Sequence, residues 1–296
     1  MSLKRLFSFF FLFINLSDLA FGQTGDNSPV VYDQFFQNYY LVNPAQKDSS
    51  EKINVSLGNR TLTGLFEGVN RFYVDANFLL SDKQKRKFHS FGLLMMNNRE
   101  GDLFNRNRAY LRYSYRTVIS DKSAISAGLA TGFVNYHFKA SEASGGGSDI
   151  SPDINFGLWF IREKIQVGIS YQQVLKPVLR PLNQEFTLPE YINLNIIHKL
   201  ELSYQAYISS NLYYRYQTLQ PFYIEYAPVF TFYDKLEIGA NYRHERGVAV
   251  VAGIRSFEIG NNLLRFMASY LIITRKLSSF NDSVLEFSFG YSVASK

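Results

Sequence analysis

The chain of 296 residues contains no cysteine. That absence excludes a disulfide framework, a thiolate metal site and a cysteine nucleophile together. Tryptophan is nearly missing, at 1 residue, although 21 Tyr and 27 Phe carry the aromatic share to 17%. Charged residues make up 19%, below the roughly 25% of ordinary globular proteins. Long apolar runs are scarce as well. Residues 6–14 (LFSFFFLFI) reach about half of the roughly 18 residues a spanning helix needs. The longest later run, 248–254, is interrupted by Gly253. With a mean hydropathy of −0.13, apolar and polar residues are interleaved rather than segregated. Such a chain crosses a membrane only as a closed barrel, because only helices and closed barrels satisfy every backbone group in lipid.

Catalytic signals are absent too. The four histidines, His89, His137, His198 and His244, lack the H-x-x-x-H spacing of a metal-binding pair. His198 and His244 read as solvated residues beside turns. There is no G-x-S-x-G elbow and no phosphate-cradling glycine loop. No serine stands in a context that marks a Ser/His lipase. Gly145, Gly146 and Gly147 read as a flexible linker in a polar loop. No catalytic residue, metal or cofactor is expected. The net charge is +6 and the pI about 9.2, yet the only basic run is residues 83–87 (KQKRK), so no nucleic-acid partner is expected. Excess arginine inside a wet barrel accounts for the charge.

What the chain has in abundance is a period of two. Phe72, Val74, Ala76, Phe78 and Leu80 alternate with Arg71, Tyr73, Asp75 and Asn77. The same pattern places Ala109, Leu111, Tyr113 and Tyr115 against Arg108, Tyr110, Arg112 and Arg116. It sets Ile165, Val167 and Ile169 against Gln166, Gly168 and Ser170, and Leu285, Phe287 and Phe289 against Glu286, Ser288 and Gly290. Alternation of this kind signals strands. About 14 segments show it, centred near residues 56, 74, 92, 110, 129, 157, 168, 195, 208, 225, 239, 251, 267 and 288. Most approach the roughly 9–11 residues that cross a bilayer as a tilted strand. Connections fall into two classes. Short ones at 119–123, 161–164, 198–200, 233–235 and 260–262 read as periplasmic turns. Longer ones at 139–152 and 173–189 read as extracellular loops. An even strand count with that asymmetry is expected of a bacterial outer-membrane barrel with both termini in the periplasm. A soluble β-sandwich or lipocalin-like barrel would share the alternation. The Tyr and Phe enrichment near strand ends instead fits interfacial aromatic girdles.

The N-terminus reads as an export signal over residues 1–22. Lys4 and Arg5 precede the apolar run, and Ala20-Phe21-Gly22 supplies small residues at the −3 and −1 positions. Residues 23–51 follow as a periplasmic or plugging segment, and residues 52–296 as the barrel. The polar strand faces carry Arg71, Arg106, Arg108, Arg112, Arg116, Arg215, Arg243, Arg255 and Arg265, together with Asp75, Glu201, Glu225, Glu237 and Glu286. Buried charges are expected to be paired, which predicts a lumen held together by arginine–carboxylate contacts. The alternative is a general or anion-selective porin with an arginine-rich lining.

Between the signal and the first strand stand Gln34, Phe35, Asn38, Tyr39, Tyr40, Asn43, Pro44 and Ala45. They form an aromatic segment stopped by an Asn-Pro turn. Gln34, Phe35, Asn38, Asn43, Pro44 and Ala45 match the spacing Q-[YF]-x-x-N-x-x-x-x-N-P-A, and in this the chain resembles the PorP/SprF family of type IX secretion outer-membrane proteins from Bacteroidetes. The stretch 91–101 (FGLLMMNNREG) is similar to the family's glycine-containing third strand. The resemblance is to a divergent member: residues 46–48 replace a glycine-containing stretch, and only Arg60 remains of an Arg-x-Gln-Trp-like motif. It implies a non-enzymatic component that assists secretion or surface anchoring of a cargo such as a gliding adhesin. The implied partners are a secreted cargo protein with a C-terminal sorting domain, other type IX secretion or motility components, and outer-membrane lipid. The aromatic segment is expected to plug or brace the periplasmic mouth, and the 173–189 loop to offer a docking surface.

Overall fold

The computed structural model describes residues 31–46, 50–63, 68–141, 145–182, 184–218, 220, 222–244, 246–273 and 283–294. The expected export signal, residues 1–22, lies outside them. Alternating sequences form the strands β1 (Glu51–Thr63), β2 (Asn70–Ser81), β3 (Lys87–Glu100), β4 (Phe104–Ser120), β5 (Ser123–Phe138), β6 (Gly147–Arg162) and β7 (Ile165–Gln172). A small hairpin, β8 (Val178–Leu179) and β9 (Phe186–Thr187), precedes β10 (Tyr191–Ser203), β11 (Ala206–Gln217), β12 (Tyr223–Phe232), β13 (Leu236–Arg243), β14 (Gly247–Ile259), β15 (Asn262–Ile273) and β16 (Ser283–Ala294). Apart from the hairpin, these make one closed antiparallel barrel of 14 strands in sequence order, sealed by the pairing of β1 with β16. Each segment centre expected from the sequence falls within its own strand. Closure removes the sheet edges that lipid would leave unpaired.

The two faces sort as the alternation predicts. Phe72, Phe78, Leu80, Phe91, Leu93, Leu111, Phe133, Ile169, Ile238 and Phe289 are exposed on the outside, where lipid would cover them. Tyr73, Asp75, Asn77, Arg108, Arg112, Asn193, Arg215, Asn241, Arg243 and Glu286 are buried on the inside. Gln166, on the inward side, is more than a lumen filler: its Oε1 accepts the Trp159 indole N–H at 3.0 Å.

Two connections differ from the sequence expectation. β6 begins at Gly147 and runs through Pro152, which pairs with Phe133, so the loop expected at 139–152 is shorter. Pro152 is tolerated there because β7 pairs with β6 only from Phe156 to Arg162, leaving the upper part of β6 without a β7 neighbour. The turn expected at 198–200 is strand: β10 continues to Ser203, and His198 pairs with Ser210 and Ile165. Polar residues there mark a strand leaving the apolar band; Lys164 holds Glu201 at 2.8 Å beside the turn. His244 does lie just beyond β13, stacked on Phe222 with ring centroids 4.9 Å apart. The 173–189 loop, expected as a long extracellular loop, carries the β8–β9 hairpin and folds back onto the wall. Leu179 and Leu188 are fully buried against the inward-facing Val134 and Tyr136 of β5. Burial of this apolar area, together with Phe104 and Phe186, holds the loop against the inner wall.

An arginine at Leu111, which is 66% exposed on the outer face at the middle of β4, should cost about 2–4 kcal/mol. The same change at Ile119, on the same face at the short-turn end of β4 and 57% exposed, should cost about 0–1 kcal/mol. Folding titrations into lipid vesicles measure both. Equal costs would mean that the membrane band lies elsewhere.

Candidate functional site

Residues 31–46 lie inside the barrel. Two short 3-10 turns, Phe35–Gln37 and Tyr39–Leu41, compact them. Asn38 links the turns: its Oδ1 accepts the Tyr40 N–H at 3.2 Å, and its amide donates to Asp75 at 2.7 Å. A segment buried this way must find partners for its backbone groups, and the inner wall provides them. The Val31 carbonyl accepts from Arg60 and Arg243, at 3.3 and 3.0 Å. The N–H groups of Asp33 and Gln34 donate to the two oxygens of Glu286, at 2.7 and 2.9 Å. Three side chains, Ser170, Gln172 and Asn193, donate to the Val42 carbonyl, at 2.8, 3.1 and 3.0 Å.

The Asn43-Pro44-Ala45 turn sits on a patch of wall that carries no side chains. Asn43 Oδ1 accepts the Ala45 N–H at 2.9 Å, closing the turn, while its amide donates to the carbonyls of Leu158 and Ile169, both at 3.1 Å. Gly128 and Gly157, paired across β5 and β6, leave the room for it. A Cβ on Gly157 would stand 2.1 Å from Asn43 Oδ1, and one on Gly128 2.2 Å from the Pro44 carbonyl oxygen. The aromatic residues of the segment fill the lumen on either side. Phe35 and Tyr39 pack with Trp159, Tyr213 and Ala227, and Tyr39 OH donates to Asn211 at 2.8 Å. Tyr32 packs on Tyr73, Leu94, Met96 and Tyr110. Gln34 donates its amide to Ser269 and to the Glu286 carbonyl, at 3.2 and 3.0 Å.

The charges converge on Asp33, the only charged side chain among residues 31–46. Its carboxylate pairs with Arg243 and lies 3.4 Å from Arg60. Arg243 also reaches Glu225 at 3.0 Å, and Arg60 lies 3.8 Å from Glu286. All five side chains are buried. One side chain of the inner segment thus ties β1 and β16, at the closing seam, to β12 and β13. Asp75 pairs with Arg112, whose guanidinium also lies 3.6 Å over the Tyr40 ring and donates to the Tyr40 carbonyl at 2.8 Å. Glu237 holds Gln37 at 2.6 Å and Arg255 at 2.7 Å.

The remaining arginines are spread through the lumen. Arg71 and Arg106 approach Glu100 at 4.0 and 3.0 Å, and Arg265 meets Glu51 at 3.1 Å. Arg215 lies 4.6 Å over Tyr191 and donates to Tyr213 OH at 3.0 Å. Arg108 is buried near Tyr110, which donates to Asp153 at 2.7 Å. Arg116 is half-buried on the inward face. In the stretch Tyr213-Tyr214-Arg215-Tyr216, Tyr213 is fully buried in the lumen and Tyr216 faces outward.

The structure brings most of the expected residues of both groups into one network, but not at the expected depth. Residues 31–34 lie level with Arg60, Glu286 and Arg243, toward the long-loop end, and residues 43–45 reach only the middle of β5 and β6. The segment runs along the lumen and not across the mouth at the short-turn end, because the glycine patch and the buried ion pairs are both inside. Between segment and wall remains a small cavity of about 40 Å³, beside Arg108, Arg112, Asn155, Asn193 and Arg215. That is room for about three waters at roughly 10–15 Å³ each. The sequence reading missed the pairing roles of Asp33 and Arg60; that Asp33 is the one charge of its segment was the available signal. Among the described residues no group of three or more His, Cys, Asp or Glu is arranged to hold a metal ion.

A closed antiparallel barrel with an apolar outer band and a charged, filled lumen is an outer-membrane β-barrel. Similar folds are those of the Ralstonia pickettii toluene transporter TbuX, at 13% identity over 86% of this chain and 93% of that one with a TM-score of 0.62, and of the monoaromatic hydrocarbon channel CymD, at 11% identity over 90% and 93% with a TM-score of 0.58. The toluene transporter TodX of Pseudomonas putida is similar at 9% identity over 87% and 93%, with a TM-score of 0.52. At these identities the likeness shows the fold alone. No curated protein matches the chain. The profile of the type IX secretion system membrane protein PorP/SprF matches residues 24–291, and the chain belongs to that family.

Removing one partner of a buried pair leaves an uncompensated charge. Arg243→Ala leaves the buried carboxylates of Asp33 and Glu225 without their shared cation and should destabilise the barrel by about 3–5 kcal/mol in denaturant titrations of the lipid-reconstituted protein. A loss below about 1 kcal/mol, the level of an exposed pair, would show that the pair of Arg243 with Asp33 does not pin the segment.

Proposed function

We propose that the protein is a non-enzymatic outer-membrane barrel that assists secretion or surface anchoring of a type IX cargo, a secreted protein with a C-terminal sorting domain such as a gliding adhesin. In this reading residues 1–22 are a cleaved export signal, residues 23–51 are the inner segment with its connection to β1, and residues 52–296 are the barrel. The long-loop end faces the cell surface and both termini face the periplasm. Other type IX secretion or motility components bind there or within the membrane.

The observation that carries the reading is the filled lumen. Residues 31–46 occupy it, and their backbone and side-chain polar groups are tied to the wall from β1 around to β16. A barrel closed in this way acts through its rims, where a protein partner docks, and not through a channel. Family membership supplies the secretion context. The rim at the long-loop end carries polar groups suited to a protein partner: Arg180 pairs with Glu185 at 2.6 Å and Lys176 with Glu190 at 2.9 Å, around the folded-back hairpin. The competing reading, a general or anion-selective porin, draws on the inward arginines. It is weakened by the carboxylates that neutralise Arg60, Arg112 and Arg243.

Affinity purification from the native outer membrane should recover the barrel with a large secreted protein, and the purified barrel should be silent in planar bilayers. Recovery without a protein partner, together with robust single-channel conductance, would replace this reading with the porin.

A further inference from the structure

The basic run at residues 83–87 belongs to none of the lumen networks described above. It forms the turn between β2 and β3 at the short-turn end of the barrel. Asp82, at the head of the turn, accepts the backbone N–H groups of Arg86 and Lys87 at 2.7 and 3.0 Å. Lys85 takes a positive φ of 51°, which tightens the turn. The result is a defined, exposed loop carrying Lys83, Lys85, Arg86 and Lys87. Its one acid is engaged in capping the turn.

The neighbouring turns at the same end do not share this charge. Residues 121–122 are Asp-Lys and residues 163–164 are Glu-Lys, with Lys122 paired to Glu163 at 2.8 Å. The turns at 204–205 and 260–261 are uncharged. Among the described turns at this rim, 82–87 carries the largest net positive charge.

A second feature lies directly beneath it. On the outer face of β3, Lys87, His89 and Phe91 follow one another toward the middle of the membrane. Beside them on β4 stand Thr117, Tyr115 and Tyr113, each the register partner of its neighbour. The His89 ring lies 5.1 Å from that of Tyr115, and Phe91 lies 5.3 Å from Tyr113. His89 Nδ1 and Tyr113 OH are hydrogen-bonded at 2.8 Å. Amphipathic rings of this kind sit at headgroup level in a bilayer. Cations one step beyond such a belt meet the phosphates, where each basic side chain near an anionic surface is attracted appreciably.

We infer that the 82–87 turn binds the phosphodiester headgroups of anionic phospholipids in the leaflet at the short-turn end. Lys87 anchors along the outer wall, and Lys83, Lys85 and Arg86 gather the headgroups over the aromatic belt. A lipid partner is favoured over an acidic protein because the charge is continuous with the lipid-facing wall. The inference stands on the barrel alone and does not depend on the identity of any cargo.

The absence of native cysteine makes the test clean. Gln84→Cys, labelled with a fluorophore, reports the lipids around the turn when the full barrel is reconstituted into phosphatidylcholine vesicles. These are doped with equal fractions of phosphatidylglycerol or phosphatidylcholine carrying a quencher near the headgroup. Quenching should show local enrichment of phosphatidylglycerol by at least the roughly fivefold that a single basic side chain supplies at such a surface. The enrichment should shrink at high salt. It should vanish when Lys83, Lys85, Arg86 and Lys87 are all replaced by Gln, in a barrel that still folds by heat-modifiable gel mobility. Equal quenching by the two lipids would overturn the inference, as would a preference that survives the four substitutions. Loss of the preference on adding inorganic phosphate, at an ionic strength where sodium chloride leaves it intact, would overturn it in favour of a soluble anion site. Binding of polyglutamate without any lipid preference would point to an acidic protein instead. The assay contains no secretion component, so its failure leaves the cargo reading untouched, and failure of the cargo reading leaves this result untouched.

Discussion

A barrel of 14 strands encloses more space than its own wall side chains fill, so its lumen must either conduct or be occupied. Here it is occupied by residues 31–46, and the constraint propagates through the rest of the structure. A backbone placed there has to be satisfied group by group. That requirement explains why Glu286 faces two consecutive N–H groups, and why Ser170, Gln172 and Asn193 converge on one carbonyl. It also explains why two paired glycines, Gly128 and Gly157, leave the wall bare where the Asn43-Pro44 turn lies against it. Asp33 fixes the arrangement. Its carboxylate, between Arg243 and Arg60, joins the seam strands to β12 and β13 through a segment that belongs to neither.

Much of the barrel was legible because its signal is local. Alternation can be read within ten residues and puts Phe72 and Asp75 on opposite faces, while the aromatic enrichment and the loop asymmetry say which face meets lipid. The depth of the inner segment was not legible. Its contacts join residues more than 200 positions apart, such as Arg243 with Asp33, and only closure of the barrel brings them together. Arg60 read as the remnant of a family motif and turned out to be half of the Asp33 clamp. The fold-back of the 173–189 loop was hidden for the same reason: its length marked a long connection, but Leu179 and Leu188 find their apolar cover on β5, far away in sequence. His198 misled locally, since a polar cluster at the end of a strand resembles a turn when the strand outlasts the apolar band.

The functional consequences follow from the filled lumen. With the interior committed to Asp33, Glu286 and the aromatic residues of the segment, the surfaces left for partners are the two rims and the lipid-facing wall. The long-loop rim is shaped by the folded-back hairpin. The short-turn rim carries the basic 82–87 turn above an aromatic belt. In the proposed reading, this division offers one end to a secreted protein and the other to the membrane's own anionic surface.

The central claim is that residues 31–46 are a fixed part of the barrel interior. Hydrogen–deuterium exchange on the reconstituted protein tests it without any substitution. The amides of Phe35, Gln37, Asn38, Leu41, Val42 and Asn43 are hydrogen-bonded within the segment, and those of Asp33 and Gln34 to Glu286. They should exchange as slowly as the barrel strands around them. Exchange within seconds, at the rate of an exposed tail, would contradict the account.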